Sequence, residues 1–303
     1  MKRNPVLITL TILLGLNILA WVAVYDLSGN RGLEVTFFDV GQGDAIFIET
    51  PARHQILIDG GPSSIILEKL GKEMPFWDRT IDLIILTHPE QDHMKGLFDV
   101  LKRYKVENIL WTGVLKDTAE YQEWLRLIGK EGAKIYIAKP GQKISAGYCD
   151  GSYGGRTSVR RCDLRKMEIS ILNPGESLAG KEIKNTNDTS IVARLVFGET
   201  AFLFTGDIGK SAEKDIVGEG IIIDSDVLKV AHHGSKTSSG KEFIEKVSPD
   251  IAVISAGKDN KYGHPHKETL ENLKDVRVLR TDLDGDIKVI SDGERYKIKN
   301  SKQ

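Results

Sequence analysis

Six of the seven histidines in this 303-residue sequence fall in three short groups, and each group follows or adjoins an apolar segment. The groups are His88 with His93, His232 with His233, and His264 with His266. Each apolar segment has the length and composition of a buried strand. Because the functional residues of α/β folds gather at strand ends, the groups predict strands that end at one common edge. We predict that the remaining histidine, His54, is a surface residue.

The first group lies in the segment 87–93, Thr-His-Pro-Glu-Gln-Asp-His, which directly follows the apolar residues 83–86. It brings four potential metal ligands onto one turn, and their nitrogen and oxygen donors suit zinc, manganese or iron. Adjacent Asp92 and His93 do not easily share one ion with both His88 and Glu90, so we predict two neighbouring ions that clamp one water molecule. The alternative is a polar loop that starts a helix at Met94, with Asp92 as its cap.

Single acids follow two other apolar segments. Asp207 ends the run Phe-Leu-Phe-Thr-Gly-Asp at 202–207 and is the candidate bridging ligand between the ions. Asp59, in Ile-Leu-Ile-Asp-Gly-Gly, has the same construction and is a candidate to orient a ligating histidine. Asp44, beside the glycine turn 41–43, is expected near by. The alternative is that these acids cap backbone amides at turns.

The N-terminus predicts a membrane segment. Lys2 and Arg3 precede residues 5–25, which carry no charge, are rich in Leu, Ile, Val and Ala, and are long enough to cross a bilayer. The sequence near residue 25 is a poor cleavage site, which favours an anchor over a secretory signal. Since the basic end stays in the cytoplasm, we predict a single-pass membrane protein with its folded domain outside. The predicted divisions are an anchor at 1–25, a linker at 26–32 and one domain at 33–303.

The charge balance, 42 Lys plus Arg against 43 Asp plus Glu, offers no global attraction for nucleic acid. A local basic run lies among tyrosines, and phosphate contact and base stacking use such residues. Its possible nucleic-acid contacts are Arg156, Arg160 and Arg161. The alternative is a solvated loop.

Cys149 and Cys162 in the same segment form a disulfide if the domain is extracytoplasmic, or stay free thiols if it is cytoplasmic.

Apolar strand-like runs alternate with helix-like spacing along residues 33–273, in two strand-rich halves that each contain helices. This pattern predicts an α/β (α+β) fold, in which two sheets form a sandwich with helices outside.

Several of these motifs together resemble the metallo-β-lactamase fold superfamily. They are Asp-Gly-Gly at 59–61, Thr-His-x-x-x-Asp-His at 87–93, Thr-Gly-Asp at 205–207 and the later histidines. More narrowly, the segments 37–44, 187–190, 232–235 and 262–266 resemble the hydrolase domain of ComEC-type DNA-uptake (competence) proteins. The resemblance implies an αββα sandwich with two divalent ions, Zn or Mn, at its edge. It also implies that residues 33–303 hydrolyse phosphodiester bonds, in the DNA strand that is not imported.

Two features depart from the superfamily pattern. Glu90 stands where a second histidine is usual, and no histidine occurs between His93 and His232, so that Asn187 or Asp188 takes the place of a third ligand. This oxygen-rich first site shifts the preference toward manganese. Moreover, DNA-transporting relatives have many membrane spans, whereas this chain has one candidate span. We therefore expect a separate channel protein as partner, with DNA as the substrate.

These considerations give a predicted site. The predicted metal ligands are His88, Glu90, Asp92, His93, Asp207, His232 and His233, supported by Asp59, Asp44, Asn187 and Asp188. The predicted catalytic residues are Asp92, Asp207 and His264, and His264 contacts the scissile phosphate or protonates the leaving oxygen. Two alternatives stay open: another hydrolase of this fold, acting on a β-lactam, a thioester or a small phosphodiester, or a catalytically inert, membrane-tethered DNA-binding module.

Overall fold

The structure, a computed structural model, describes residues 4–28, 32–146 and 167–302. The chain divides into two compact units, Met1–Arg31 and Gly32–Gln303. The first unit contains helix α1 (Pro5–Ser28), and the side chains of residues 5–21 are exposed. Within the described parts of the chain, no helix is both long and apolar enough to cross a membrane.

The second unit is built on strands that form two sheets. In chain order the strands are β1 (Leu33–Phe37), β2 (Ile46–Glu49), β3 (Gln55–Ile58), β4 (Thr80–Leu86), β5 (Lys105–Trp111), β6 (Lys134–Ile137), β7 (Lys143–Ala146), β8 (Met167–Asn173), β9 (Val192–Phe197), β10 (Thr200–Phe204), β11 (Val227–Lys229), β12 (Ile251–Ile254), β13 (Arg277–Arg280), β14 (Ile287–Ser291) and β15 (Tyr296–Asn300). The first sheet has the order β15-β14-β1-β2-β3-β4-β5-β6, and the second has the order β13-β12-β11-β10-β9-β8-β7.

Each sheet contains a parallel part and an antiparallel part. Strands β3 to β6 are parallel in the first sheet, and β10 to β13 are parallel in the second. The remaining pairs, including the hairpins β2–β3 and β9–β10, are antiparallel. The loops that follow β4, β10 and β11 thus leave the parallel parts at their carboxyl ends, where α/β folds collect functional residues.

Seven α-helices belong to this unit within the described residues. They are α2 (Ile65–Glu73), α3 (Gln91–Arg103), α4 (Ala119–Glu131), α5 (Lys210–Gly218), α6 (Lys241–Val247), α7 (Lys267–Asn272) and α8 (Thr281–Asp284). Helices α2 to α4 are in the half of the chain that forms most of the first sheet, and α5 to α7 lie between strands of the second.

Three layers of buried side chains account for this arrangement. Alternate residues of a strand face opposite sides of its sheet, so Ile56 and Ile58 enter the core between the sheets while Leu57 packs toward α3 and α4. A third layer, which includes Leu203, joins the second sheet to α5 and α6. The central strands, such as β3, β10 and β12, are buried on both faces, which explains their nearly continuous apolar sequences. The predicted sandwich of two sheets with helices outside is confirmed.

Two glycines bring helix α3 against the loop after β3. A Cβ atom at Gly96 would lie 2.0 Å from the Gly60 carbonyl oxygen, so this position in α3 needs a residue without a side chain. The backbone N–H of Gly60 donates to the His93 carbonyl at 2.7 Å. The close approach holds the first turn of α3, which carries Asp92 and His93, beside Asp59.

Candidate metal centre

The loop after β4 and the first turn of α3 contain four of the predicted ligands, His88, Glu90, Asp92 and His93. Residues 87–90 connect β4 directly to α3, which begins at Gln91, with Glu90 at the N-cap position. The side chains of His88 and His93 are buried, and that of Asp92, in the first helical turn, is 34% exposed. The two histidines are thus buried, while Asp92 keeps part of its carboxylate open to solvent.

The second sheet supplies the other ligands. Asp207 follows β10 after Gly206, whose φ of 51° is a conformation that favours glycine. His232 and His233 follow β11, and both have a positive φ, 50° and 55°. A left-handed conformation at two successive non-glycine residues is strained, and such strain clusters at functional sites.

Four of these side chains converge with the spacing of metal ligands. The Oδ2 atom of Asp207 lies 3.4 Å from His93 Nε2 and 3.4 Å from His233 Nε2, and His233 Nε2 lies 3.4 Å from Asp92 Oδ2. Around a tetrahedral zinc ion with bonds of about 2.1 Å, neighbouring ligand atoms are about 3.4 Å apart. Side-chain atoms of His88, His93 and Asp207 form a second group within 4.8 Å of one another.

The partners of the imidazole Nδ1 atoms determine which nitrogen of each ring faces this centre. His93 Nδ1 lies 2.8 Å from Asp59 Oδ2, and His233 Nδ1 lies 3.0 Å from the Ser255 carbonyl oxygen. Both oxygens accept, so both Nδ1 atoms carry hydrogen. The Thr87 hydroxyl donates to Asp59 at 2.7 Å and therefore accepts from His88 Nδ1 at 3.0 Å.

The opposite nitrogens of the three rings are buried and free to bind an ion. His88 Nε2, His93 Nε2, His233 Nε2 and Asp207 Oδ1 have no hydrogen-bond partner among the described residues. Buried polar atoms without partners are rare in folded proteins, and an ion at this point explains all four. Among the described residues, the four carboxylates of Asp44, Asp59, Asp92 and Asp207 also outnumber the one ammonium group, from Lys229, that contacts any of them. The residues present therefore fit divalent cations.

The pKa values of the ligands show the same electrostatic imbalance. Burial disfavours the charged form of His93 and His233, but Asp207 together with a second carboxylate, Asp59 for His93 and Asp44 for His233, outweighs burial and raises both pKa values well above their usual range. Burial would raise the pKa of Asp207, yet His233 and His93 hold it well below its usual range. Burial lowers the pKa of His88 to about 3, so this ring is neutral at pH 7. A divalent cation replaces the protons that otherwise balance Asp207.

Glu90 is not brought into either group. Its carboxylate accepts from Lys116 Nζ and from the Thr186 hydroxyl, which turns it away from the histidines. Sequence spacing alone predicts Glu90 as a ligand because it stands two residues after His88. The ion pair with Lys116 could be recognised only from the fold, since 26 residues separate the two.

The loop before β9 contributes one residue to the edge of the site. Asn187 Nδ2 lies 3.3 Å from His232 Nε2, which in turn lies 3.9 Å from Asp207 Oδ2. His232 is 27% exposed and lies outside the tight ligand groups. Asp188 instead accepts from the Gly209 backbone N–H at 2.8 Å, so it supports the loop after Asp207 and offers no ligand to the centre.

His264 lies beside the centre, as the sequence predicts. Its ring centroid is 5.7 Å from that of His232 and 6.2 Å from that of His233. The Gln42 Oε1 atom accepts from the Gly257 N–H at 3.1 Å, so its Nε2 atom faces His264 Nδ1 at 3.5 Å. The hydrogen of the neutral His264 ring is therefore on Nε2. His266 accepts at Nδ1 from the Lys236 N–H at 3.2 Å and has no place in the ligand groups.

Several supporting residues were not predicted from the sequence. Thr87, Ser255 and Gln42 orient histidines, and Lys229 contacts Asp44. A signal existed for Lys229, because it is the one charged residue in the apolar run 227–231. His54 contacts Asp82 at the surface, away from the centre. The predicted contacts Arg156, Arg160 and Arg161, with both cysteines, lie outside the described residues.

Comparison with known proteins identifies the family of this chain. Residues 38–258 match the sequence pattern of the metallo-beta-lactamase superfamily. The chain is similar to ComE operon protein 3 of Bacillus subtilis, with 31% identity over 296 residues that cover 91% of this chain and 34% of that protein. It is also similar to Competence protein ComA of Neisseria gonorrhoeae, with 28% identity over 257 residues, 83% of this chain and 31% of that protein. The chain spans about a third of the length of these relatives.

Solved structures share the fold at low sequence identity. The metallo-beta-lactamase fold protein YhfI from Bacillus subtilis aligns with a TM-score of 0.53 and 14% identity, over 82% of this chain and 96% of that chain. The diiron beta-hydroxylase CmlA from Streptomyces venezuelae aligns with a TM-score of 0.52 and 15% identity, over 87% of this chain and 55% of that chain. At such identities the likeness extends to the fold alone.

Proposed function

Because the chain belongs to the metallo-β-lactamase superfamily, we propose that it is a metal-dependent phosphodiesterase that cleaves DNA. The fold is that of metal-dependent hydrolases in general, and the chain is related to competence proteins. The observation that carries the proposal is the convergence of three free Nε2 atoms on the Asp207 carboxylate. The competence relatives and the resemblance to DNA-uptake proteins support DNA as the substrate.

Two divalent ions are proposed, zinc or manganese, since the donors are nitrogen and oxygen without sulfur. Asp92, His93 and His233 would hold one ion together with Asp207, and His88 would hold the other together with Asp207. When bound, these ions lower the pKa of water and neutralise charge on phosphate oxygens. Asp92, which is partly exposed, faces the solvent side from which a phosphate group arrives.

His264 is proposed to bind the scissile phosphate. Burial, together with the nearby His233 and His232, lowers the pKa of His264 to about 4. The ring is therefore neutral at pH 7, and its Nε2–H donates a hydrogen bond to a phosphate oxygen rather than a proton to the leaving group. Gln42 fixes this tautomer from the other side of the ring.

We further propose that residues 5–25 anchor the chain in a membrane as a single pass, with the hydrolase domain extracytoplasmic and a separate channel protein as partner. The support is the uncharged apolar sequence of this segment after Lys2 and Arg3. Membrane fractionation of the full-length chain and of a variant with Leu13→Lys and Leu16→Lys tests the anchor. Recovery of both proteins in the soluble fraction would contradict it.

The test of the activity uses the purified full-length chain with manganese or zinc. Single- and double-stranded DNA, a phosphodiester dye and a β-lactam serve as substrates, with Asp207→Ala as the inactive variant. Asp99→Ala, which removes an exposed carboxylate paired with Lys102, is the control. We expect DNA cleavage by the wild type and Asp99→Ala, and none by Asp207→Ala or with a chelator. Intact DNA with hydrolysis of the lactam, or tight DNA binding without turnover, contradicts the proposal.

A further inference from the structure

Lys229 is a buried charged residue next to the candidate metal centre. It is the last residue of β11, between Phe204 of β10 and Val253 of β12, and its side chain has no exposed surface. Its Nζ atom lies 2.7 Å from Asp44 Oδ2 and donates to the Val230 carbonyl at 3.0 Å. Transfer of a charged group from water to a buried position is costly unless the charge is paired. The contact with Asp44 is therefore essential to the burial of the Lys229 ammonium group.

Asp44 connects the two ligand-bearing parts of the fold. Its backbone N–H donates to the Asp92 carbonyl at 3.3 Å, which joins it to the first turn of α3. Its Oδ1 atom lies 3.4 Å from His233 Nδ1, in the loop after β11. This oxygen is buried and has no hydrogen-bond partner among the described residues. The carboxylate therefore stands between a ligand loop of the first sheet and a ligand loop of the second.

We propose that Lys229 is a positioning residue of the metal centre and that it acts through Asp44. Its ammonium group fixes the Asp44 carboxylate between the two sheets, which holds Asp92 and His233 at the 3.4 Å separation of ligands to one ion. The proposal rests on the metal centre proposed above. The alternative is that the Lys229–Asp44 ion pair only stabilises the core.

The charge of Lys229 also accounts for the geometry of the anions around it. Asp44 lies in one ligand-sized group with Asp207 and His233. Without the ammonium group, an unpaired carboxylate would face Asp207 and the Nδ1 side of His233 in a site of low dielectric constant. It would repel Asp207 and draw the His233 ring away from the Ser255 carbonyl. Both changes disturb the ligands that one ion needs.

The experiment measures zinc and manganese affinity of the full-length chain by competition with a chromogenic chelator. Lys229→Met removes the ammonium group. Lys288→Met, which removes a half-buried lysine that pairs with Glu34 and Glu73 in the first sheet, is the matched control. We expect Lys229→Met to lose about 10- to 100-fold in affinity, the usual effect of removing a group behind a ligand. Lys288→Met keeps the wild-type affinity.

A double variant separates positioning from simple stabilisation. Lys229→Met with Asp44→Leu replaces the ion pair by apolar side chains, a change that buried ion pairs often tolerate. We expect this variant to fold with a near wild-type melting temperature but to keep the weakened metal affinity, with an altered absorption spectrum of bound cobalt. If its metal affinity and cobalt spectrum match the wild type, the pair is only structural and the proposal is overturned.

The outcomes distinguish this proposal from the proposed function. A wild-type chain that binds neither metal overturns the metal centre and this proposal with it. Metal binding by the wild type with equal affinity in the folded Lys229→Met variant overturns this proposal alone. If Lys229→Met does not fold, the double variant decides the question by the same comparison.

Discussion

Replacement of Asp59 by asparagine tests whether the histidine tautomers control metal binding. Both oxygens of Asp59 act as acceptors: Oδ1 from the Thr87 N–H at 2.8 Å, and Oδ2 from the Thr87 hydroxyl and from His93 Nδ1. An asparagine keeps one acceptor oxygen. The backbone N–H of Thr87 cannot turn away, so the oxygen stays at the Oδ1 position and the amide NH₂ group faces His93. His93 then accepts at Nδ1 and carries its hydrogen on Nε2, the atom that faces Asp207.

The expected loss follows from this change of tautomer. Removal of a group that orients a ligating histidine costs about 10- to 100-fold in metal affinity, or about 1.4 to 2.7 kcal/mol. The fold itself should suffer less, because burial raises the pKa of Asp59 and so disfavours the charge that the substitution removes. The assay is zinc competition with a chelating dye on the full-length chain, together with the melting temperature in excess chelator.

A second carboxylate–histidine pair provides the control. Asp82 contacts His54 Nδ1 at 3.3 Å and accepts from the Gln55 N–H at 2.7 Å, at the surface and away from the centre. Asp82→Asn should therefore leave the zinc affinity unchanged. Wild-type affinity in Asp59→Asn would refute the tautomer argument, and so would an equal loss in both variants.

Three further changes test other parts of the structure. In excess chelator, the free energy of unfolding should fall as the pH rises above 6.5 toward the raised pKa values of His93 and His233, because their protons balance Asp207. Denaturant titrations at several pH values with and without zinc measure this change. Bound zinc should remove the fall. Glu90→Gln should keep the metal stoichiometry measured by elemental analysis, since its carboxylate binds Lys116, whereas His88→Gln should lower it. Gly96→Ala should destabilise the fold by about 1–3 kcal/mol through its contact with Gly60. Gly129→Ala, in an open position of α4, should instead stabilise it by about 0.5–1 kcal/mol in the same denaturant titration.

Much of the fold follows from local sequence patterns. The apolar runs before Asp59, His88 and Asp207 are buried strands, as expected, because parallel strands covered on both faces need nearly continuous apolar sequence. Helix α6, residues 241–247, lies in the region where apolar strand-like runs alternate with helix-like spacing. The strands β14 and β15 were not anticipated. In β15, the edge strand of the first sheet, Lys297 and Lys299 alternate with Tyr296 and Ile298, and β14 becomes recognisable only through its pairing with β1.

The site was predictable where ligands follow strands and less so where distant residues meet. His93, Asp207 and His233 converge because each follows a strand of the parallel parts, which is visible in the sequence. Glu90 is kept out of the ligand groups by Lys116 and Thr186, which belong to other segments of the chain. Sequence spacing contains no information on such contacts.

These contacts make the two halves of the centre unequal. Asp92, His93 and His233 surround Asp207 at the spacing of one coordination sphere, and hydrogen bonds fix the rings of both histidines from behind. In the group of His88, His93 and Asp207, His88 is the one histidine that the proposed first ion would not share, and Glu90 is held by Lys116. A ligand set with fewer protein donors leaves more positions to water and substrate. The ion beside His88 should therefore bind more weakly and exchange more readily, and a phosphate oxygen that completes its coordination would couple its binding to that of the substrate.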